Sequence, residues 1–159
     1  MAFKVLMVCL GNICRSPMAH GLLQHKATQL KLDWEIDSVG TSGYHEGDLP
    51  DKRAIACMKR HGIDITYQRS RPINYQDLHY YDEIFVMDES NLNNVMLIAK
   101  TNTELAKVSL IMALVDPQPA REVPDPYYGP GDKGFEKVYD MLDKATDRLI
   151  EKVTSKQVI

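Results

Sequence analysis

Cysteine is scarce: Cys9, Cys14 and Cys57 are the three in 159 residues. Three is too few, and odd, for a disulfide framework. The thiols suit a reducing, cytoplasmic compartment, where cysteine is kept for packing or reactivity. Long apolar runs are also missing. The two longest, residues 5–10 and 110–115, fall far short of the roughly 20 residues a membrane helix needs. One Lys and a short apolar stretch precede Gly11-Asn12, which is not a signal-peptide pattern. Basic charge is not in excess. Lys and Arg total 19 against 22 Asp and Glu, a net charge of −3, so a nucleic-acid binder's basic face is not expected. A local anion site stays open, because backbone amides and one Arg can build it without moving the net charge. With 44% hydrophobic and 26% charged residues the chain is neither collagenous nor disordered, and its length suits one domain over 1–159.

What is present alternates. Residues 4–9 are apolar and β-branched with almost no polar interruption, the pattern of a strand buried on both faces. Gly11-Asn12 breaks it, and Ser16-Pro17 reads as the opening of a helix, with Ser16 as N-cap and Met18, Leu22, Leu23, Ala27 and Leu30 as its apolar stripe. Residues 34–39 predict a second strand ending at Gly40. After a loop over 41–50, Asp51 caps a helix that stops at His61-Gly62, where His61 faces the negative end of the helix dipole. Residues 63–78 read as irregular, 82–87 as a third strand, 92–99 as a short helix and 108–113 as a fourth strand. A Pro-rich loop over 116–133 precedes a final amphipathic helix over 134–153. This order predicts an α/β fold: a Rossmann-like three-layer sandwich with a four-stranded parallel sheet and helices on both faces. Ligands bind such sheets at the carboxyl ends of the strands.

Cys9-Leu10-Gly11-Asn12-Ile13-Cys14-Arg15-Ser16 lies at such an end. A short loop from strand to helix N-terminus aims its amides inward and can hold a phosphate. Gly11 and Asn12 tolerate the positive φ of a tight nest. Arg15 offers paired donors to phosphate oxygens. The same features favour a thiolate at Cys9, and Ser16 can donate to it. Cys-x5-Arg alone is a weak signal; its place between a buried strand and a helix gives it weight.

The sequence resembles the low-molecular-weight protein tyrosine phosphatases. The likeness rests on residues 8–17, on Asp37-Ser38 through Thr41-Ser42 and Tyr44, on Met87-Asp88-Glu89-Ser90-Asn91, and on Asp125-Pro126-Tyr127-Tyr128-Gly129. It implies Cys9 as nucleophile forming a phosphocysteine, Arg15 as phosphate clamp and Asp125 as general acid, then base. Leu10, Gly11, Asn12, Ile13, Cys14 and Ser16 would line the phosphate site, with Tyr44, Tyr127 and Tyr128 as its aromatic wall. Ser38 would support Asn12. Asp88 would be a second carboxylate near the acid, or simply a helix N-cap. Cys14 would pair reversibly with Cys9 under oxidation, or serve only as a small buried residue. Cys57 reads as core, with no Cys or His pair at zinc-ligand spacing. Relatives acting on phosphoarginine carry Thr at the place of Ile13; an Ile packs against an aryl ring instead. The family's supporting His after Gly62 is missing here.

The expected partners are therefore phosphotyrosine proteins or aryl phosphates, with no metal or cofactor and a monomer or weak homodimer as the assembly. Arsenate reduction would need further thiols near the third strand, and a non-catalytic phosphate-binding module would have no use for both Cys9 and Asp125. A protein-arginine phosphatase is the runner-up within the same chemistry.

Overall fold

The computed structural model describes residues 2–118, 121–129 and 131–155. The expected unit 1–159 and the Pro-rich loop thus each include positions outside the described residues. The elements are β1 (Phe3–Cys9), α1 (Arg15–Gln29), β2 (Trp34–Gly40), α2 (Lys52–Arg60), α3 (Tyr75–Tyr80), β3 (Glu83–Val86), α4 (Glu89–Ile98), α5 (Asn102–Leu105), β4 (Val108–Leu110) and α6 (Lys133–Ser155). Two 3₁₀ turns, Ile111–Leu114 and Pro126–Tyr128, lie between β4 and α6.

All strand pairs are parallel, in the order β2-β1-β3-β4. Side chains alternate along β1 as the pleat requires. Val5, Met7 and Cys9 enter the core shared with α1, α2 and α6, which holds Met18, Leu22, Leu23, Phe135, Val138 and Leu142. Leu6 and Val8 enter the opposite core with Val39, Leu78, Ile84, Val86 and Val95. These two cores make the three layers. The chain leaves β1 toward β2 on one side and β3 on the other, so the switch point of the sheet lies at the carboxyl ends of β1 and β3.

Several expectations need correction. α1 starts at Arg15, and its N-cap residue, Cys14, makes no capping hydrogen bond; Ser16 is spent elsewhere. Leu30 lies past the helix end and is exposed. The fourth strand stops at Leu110, because the chain curls into a 3₁₀ turn that sends Ile111 and Met112 into the α1/α6 core. α3 lies in the stretch read as irregular, and α5 was not expected. Each opens on a capping box, Asn74 with Asp77 and Thr101 with Glu104.

Candidate active site

The loop from Cys9 to Arg15 is held from outside by its carbonyl groups. Leu10 O accepts from Ser42 N (2.9 Å), Gly11 O from Ser70 Oγ (3.0 Å) and Ile13 O from Asp51 N (2.8 Å). In a trans peptide the next residue's N–H points the opposite way. The amides of Gly11, Asn12 and Cys14 therefore face the concave side, beside the uncapped N-terminus of α1. Asn12, not Gly11, takes the left-handed conformation, with φ 57°. Gly40 is required by close approach. A Cβ there would lie 2.7 Å from Leu10 O and 3.0 Å from Ser42 O, so a larger residue would push β2 off the loop.

Asn12 is buried and fixes the loop's shape. Its Nδ2 donates to Ser16 Oγ (2.8 Å) and Ser38 Oγ (2.9 Å), and its Oδ1 accepts from Arg71 N (3.0 Å). Ser16 Oγ in turn lies 3.0 Å from Cys9 Sγ. Ser38 Oγ meets His20 Nδ1 at 3.4 Å and Gln68 Oε1 at 3.5 Å, while Gln68 Nε2 anchors on Pro17 O. His20 from α1 and Gln68 thus supply the support for which the segment after Gly62 has no His. Burial holds the His20 imidazole down to about 4, against the opposing pull of Asp37, so it is neutral at pH 7.

Arg15 is buried to 3% exposure and spans two carboxylates. Its Nη1 donates to Asp88 Oδ2 (2.7 Å) and to Val123 O (2.9 Å), and its Nη2 lies 3.7 Å from Asp125 Oδ2. Burial alone would make the guanidinium easier to deprotonate; Cys9, Asp88 and Asp125 outweigh it and raise its pKa. Asp88 is the N-cap of α4 and also holds Arg15. Oδ1 caps α4 through Asn91 N (2.8 Å), which leaves Oδ2 for Arg15. Asp125 likewise caps the 3₁₀ turn at Pro126–Tyr128 through Tyr127 N (3.0 Å) while its other oxygen faces Arg15. Burial, with Asp51 beside it, pushes the Cys14 thiol well above its usual range, so Cys14 is no thiolate at rest.

A cavity of about 410 Å³ opens over Cys9. Its lining includes Leu10, Gly11, Ile13, Cys14, Arg15, Asp125, Tyr44, Tyr127 and Tyr128, all foreseen. Asn12, Ser16, Ser38 and Asp88 stand behind that surface as its frame. The structure adds Ser42 and His45 to the wall. His45 packs edge-on to Tyr44 (4.9 Å between centroids) and pairs with Asp48 at 3.1 Å. Arg53 reaches over from α2, with its guanidinium 5.4 Å from the Tyr127 ring centre and Nη2 3.1 Å from Tyr127 O. Ser42 lies in a stretch that carries the resemblance, but His45 and Arg53 had no signal of their own: a residue in a loop and one near the start of a helix follow no spacing rule that points to the pocket. Elsewhere Cys57 meets His61 and Glu136, a grouping hidden from spacing because Glu136 comes from the last helix.

Fold and site together define an α/β protein with an anion cradle at its switch point. A model of the family "low molecular weight phosphotyrosine protein phosphatase" matches residues 4–158. The human low molecular weight phosphotyrosine protein phosphatase is 42% identical over 154 residues, 94% of either chain. The Schizosaccharomyces pombe protein of the same name is 37% identical over 153 residues, 94% of this chain and 96% of the other. Among solved structures, a protein tyrosine phosphatase of Entamoeba histolytica with Hepes in its active site matches with a TM-score of 0.90 at 35% identity, over 99% of this chain and 100% of that one. A Drosophila arginine phosphatase matches with a TM-score of 0.89 at 33% identity, over 95% and 98%. The chain belongs to the low molecular weight phosphotyrosine protein phosphatase family.

Proposed function

We propose that the protein hydrolyses phosphotyrosine, and small aryl phosphates, through a cysteinyl-phosphate intermediate on Cys9. The observation that carries the reading is the convergence of Cys9, Arg15 and Asp125 on one cavity floored by inward-facing amides. The phosphoryl group sits in the loop, its oxygens held by those amides and by Arg15, whose Nη1 is anchored on Asp88. Cys9 Sγ attacks phosphorus as the P–O bond to the phenol breaks, and the departing oxygen takes the proton of Asp125. Asp125 then removes a proton from the water that attacks the phosphocysteine. Inorganic phosphate leaves and the Cys9 thiolate returns, stabilised by the Ser16 hydroxyl 3.0 Å away. No metal or cofactor enters this sequence.

Tyr44, Tyr127 and Tyr128 form the rim, and a deep anion site behind an aromatic rim suits a flat phenyl phosphate better than the shorter phosphoserine. Ile13 in the wall supports the aryl substrate over phosphoarginine, since it offers the guanidinium no hydrogen-bond partner. Cys14, in the same loop, would resolve a sulfenic acid on Cys9 as a disulfide with loss of water. Location in the cytoplasm and a monomeric or weakly dimeric state complete the reading, consistent with three free cysteines.

The test is hydrolysis of para-nitrophenyl phosphate, a phosphotyrosine peptide and a phosphoarginine peptide, with chelator present, by wild type and Cys9→Ser. The two aryl substrates should turn over in the wild type, and the variant should keep less than about 1% of that rate. Preference for phosphoarginine would move the assignment to the arginine phosphatases; full activity in Cys9→Ser would overturn the covalent route.

A further inference from the structure

Cys57 and His61 sit four residues apart, on the last turns of α2 and at its C-cap, so they share one helix face. Glu136, in the first turn of α6, faces both of them. Cys57 Sγ lies 3.5 Å from Glu136 Oε1 and His61 Nε2 lies 2.8 Å from Glu136 Oε2. The three ligand atoms all fall within 4.8 Å of one another. We propose that Cys57, His61 and Glu136 form a binding site for a zinc-class divalent cation that clamps α2 to the start of α6.

The geometry is close to what such an ion needs. Zinc binds sulfur at about 2.3 Å and nitrogen or oxygen at about 2.0–2.2 Å, so tetrahedral ligand atoms lie roughly 3.3–3.7 Å apart. The Cys57–Glu136 separation of 3.5 Å falls in that range, the His61–Glu136 separation of 2.8 Å lies below it and no pair exceeds 4.8 Å, so changes of about an ångström in rotatable side chains reach it. A thiolate, an imidazole and a carboxylate together select zinc over calcium or magnesium, which prefer all-oxygen shells. The imidazole is already oriented, stacked on Tyr139 with centroids 3.6 Å apart and planes 8° from parallel. His61 and Glu136 keep 31% and 38% of their side-chain surface, so an ion has an entry path and water can fill a fourth position.

Arg60 is the competitor. Its Nε and Nη2 lie 3.0 and 2.9 Å from Glu136 Oε1. That pair is open to solvent, the Arg60 side chain 43% exposed, so it is weak and free to swing out. On binding, the Cys57 thiol gives its proton to solvent, and any proton on His61 follows. Thiolate and carboxylate then cancel the double charge of the ion, and Arg60 faces a neutral site. The three ligands are absent from the lining of the cavity over Cys9, so the clamp is separate from the chemistry proposed there.

The experiment uses the full chain carrying Cys9→Ser and Cys14→Ser, which leaves Cys57 as the one thiol. Co²⁺ serves as the optical probe for zinc. The expected result is saturable binding of one Co²⁺ with sulfur-to-cobalt charge-transfer absorption, displaced by Zn²⁺, and a higher Tm with Zn²⁺ present. Adding Cys57→Ser should abolish the absorption. His61→Gln and Glu136→Gln, at part-exposed positions that tolerate an amide, should keep the fold and weaken binding by about 100-fold or more, beyond the loss for a supporting residue. Failure to see saturable charge-transfer absorption overturns the proposal. So does an affinity left unchanged by both His61→Gln and Glu136→Gln, which would assign the thiol's cobalt to some other neighbourhood.

Discussion

The neutral imidazole of His20 makes the site's frame sensitive to acid. In the folded protein burial holds it down to about 4, while an unfolded chain titrates near 6.5. As pH falls, the unfolded chain takes the proton first. Stability therefore drops from about pH 6.5 through about pH 4 and loses nothing more from this group below that. At about 1.4 kcal/mol per pH unit the full loss is about 3 kcal/mol, and between pH 7 and 4.5 it is about 2 kcal/mol. The cause is local. His20 is 6% exposed, lies against the edge of Tyr67 with centroids 5.7 Å apart, and meets Ser38 Oγ at 3.4 Å. Urea unfolding at both pH values, for wild type and His20→Gln, isolates the term, since the other acid-sensitive groups are common to both. Wild type should lose about 2 kcal/mol more than the variant on going to pH 4.5. Equal losses would refute the buried, neutral imidazole.

Two further perturbations probe the same frame and the proposed acid. Asn12→Ala removes three hydrogen bonds and leaves at φ 57° a residue without the polar side chain that makes asparagine tolerable there; it should cost about 2–4 kcal/mol in denaturant unfolding and most of the turnover, with Asn12→Gly recovering about 1 kcal/mol of the stability but not the turnover. If Asn12→Gly restores turnover, the side-chain bonds are not what shapes the loop. Asp125→Ala should slow phosphotyrosine cleavage by about 10²–10⁴-fold, and less for a substrate with a better leaving group. Equal slowing of both substrates in steady-state assays would take Asp125 out of the acid role.

The sheet was legible because its signals are local. Residues 5–9 are an unbroken apolar run, and a parallel central strand buried on both faces is what such a run can become. The cradle was legible because its residues lie within eight positions of one another, from Cys9 to Ser16. Only the N-cap reading of Ser16 fails. Ser-Pro looks like a helix opening, yet the hydroxyl goes to Cys9, as its place in the loop suggests, and to Asn12, so none is left to cap α1. β4 was overextended because residues 111–114 are as apolar as a strand; what turns them is the core under α6, which the local pattern does not encode. α3 and α5 carried readable capping boxes, Asn74-x-x-Asp77 and Thr101-x-x-Glu104, and short helices with weak periodicity hide behind them. His20 gave no sign, since a lone His on a helix reads as surface until Ser38 and Tyr67 are brought to it.

The most direct test of the account is to catch phosphorus on sulfur. Wild-type protein mixed with para-nitrophenyl phosphate, quenched in acid within the first turnovers and digested, should yield the peptide containing Cys9 carrying one phosphoryl group. Cys9→Ser protein treated alike should yield none and release no phenol. A phosphoryl group on another residue, or rapid turnover with Cys9 never modified, would contradict nucleophilic catalysis at the end of β1.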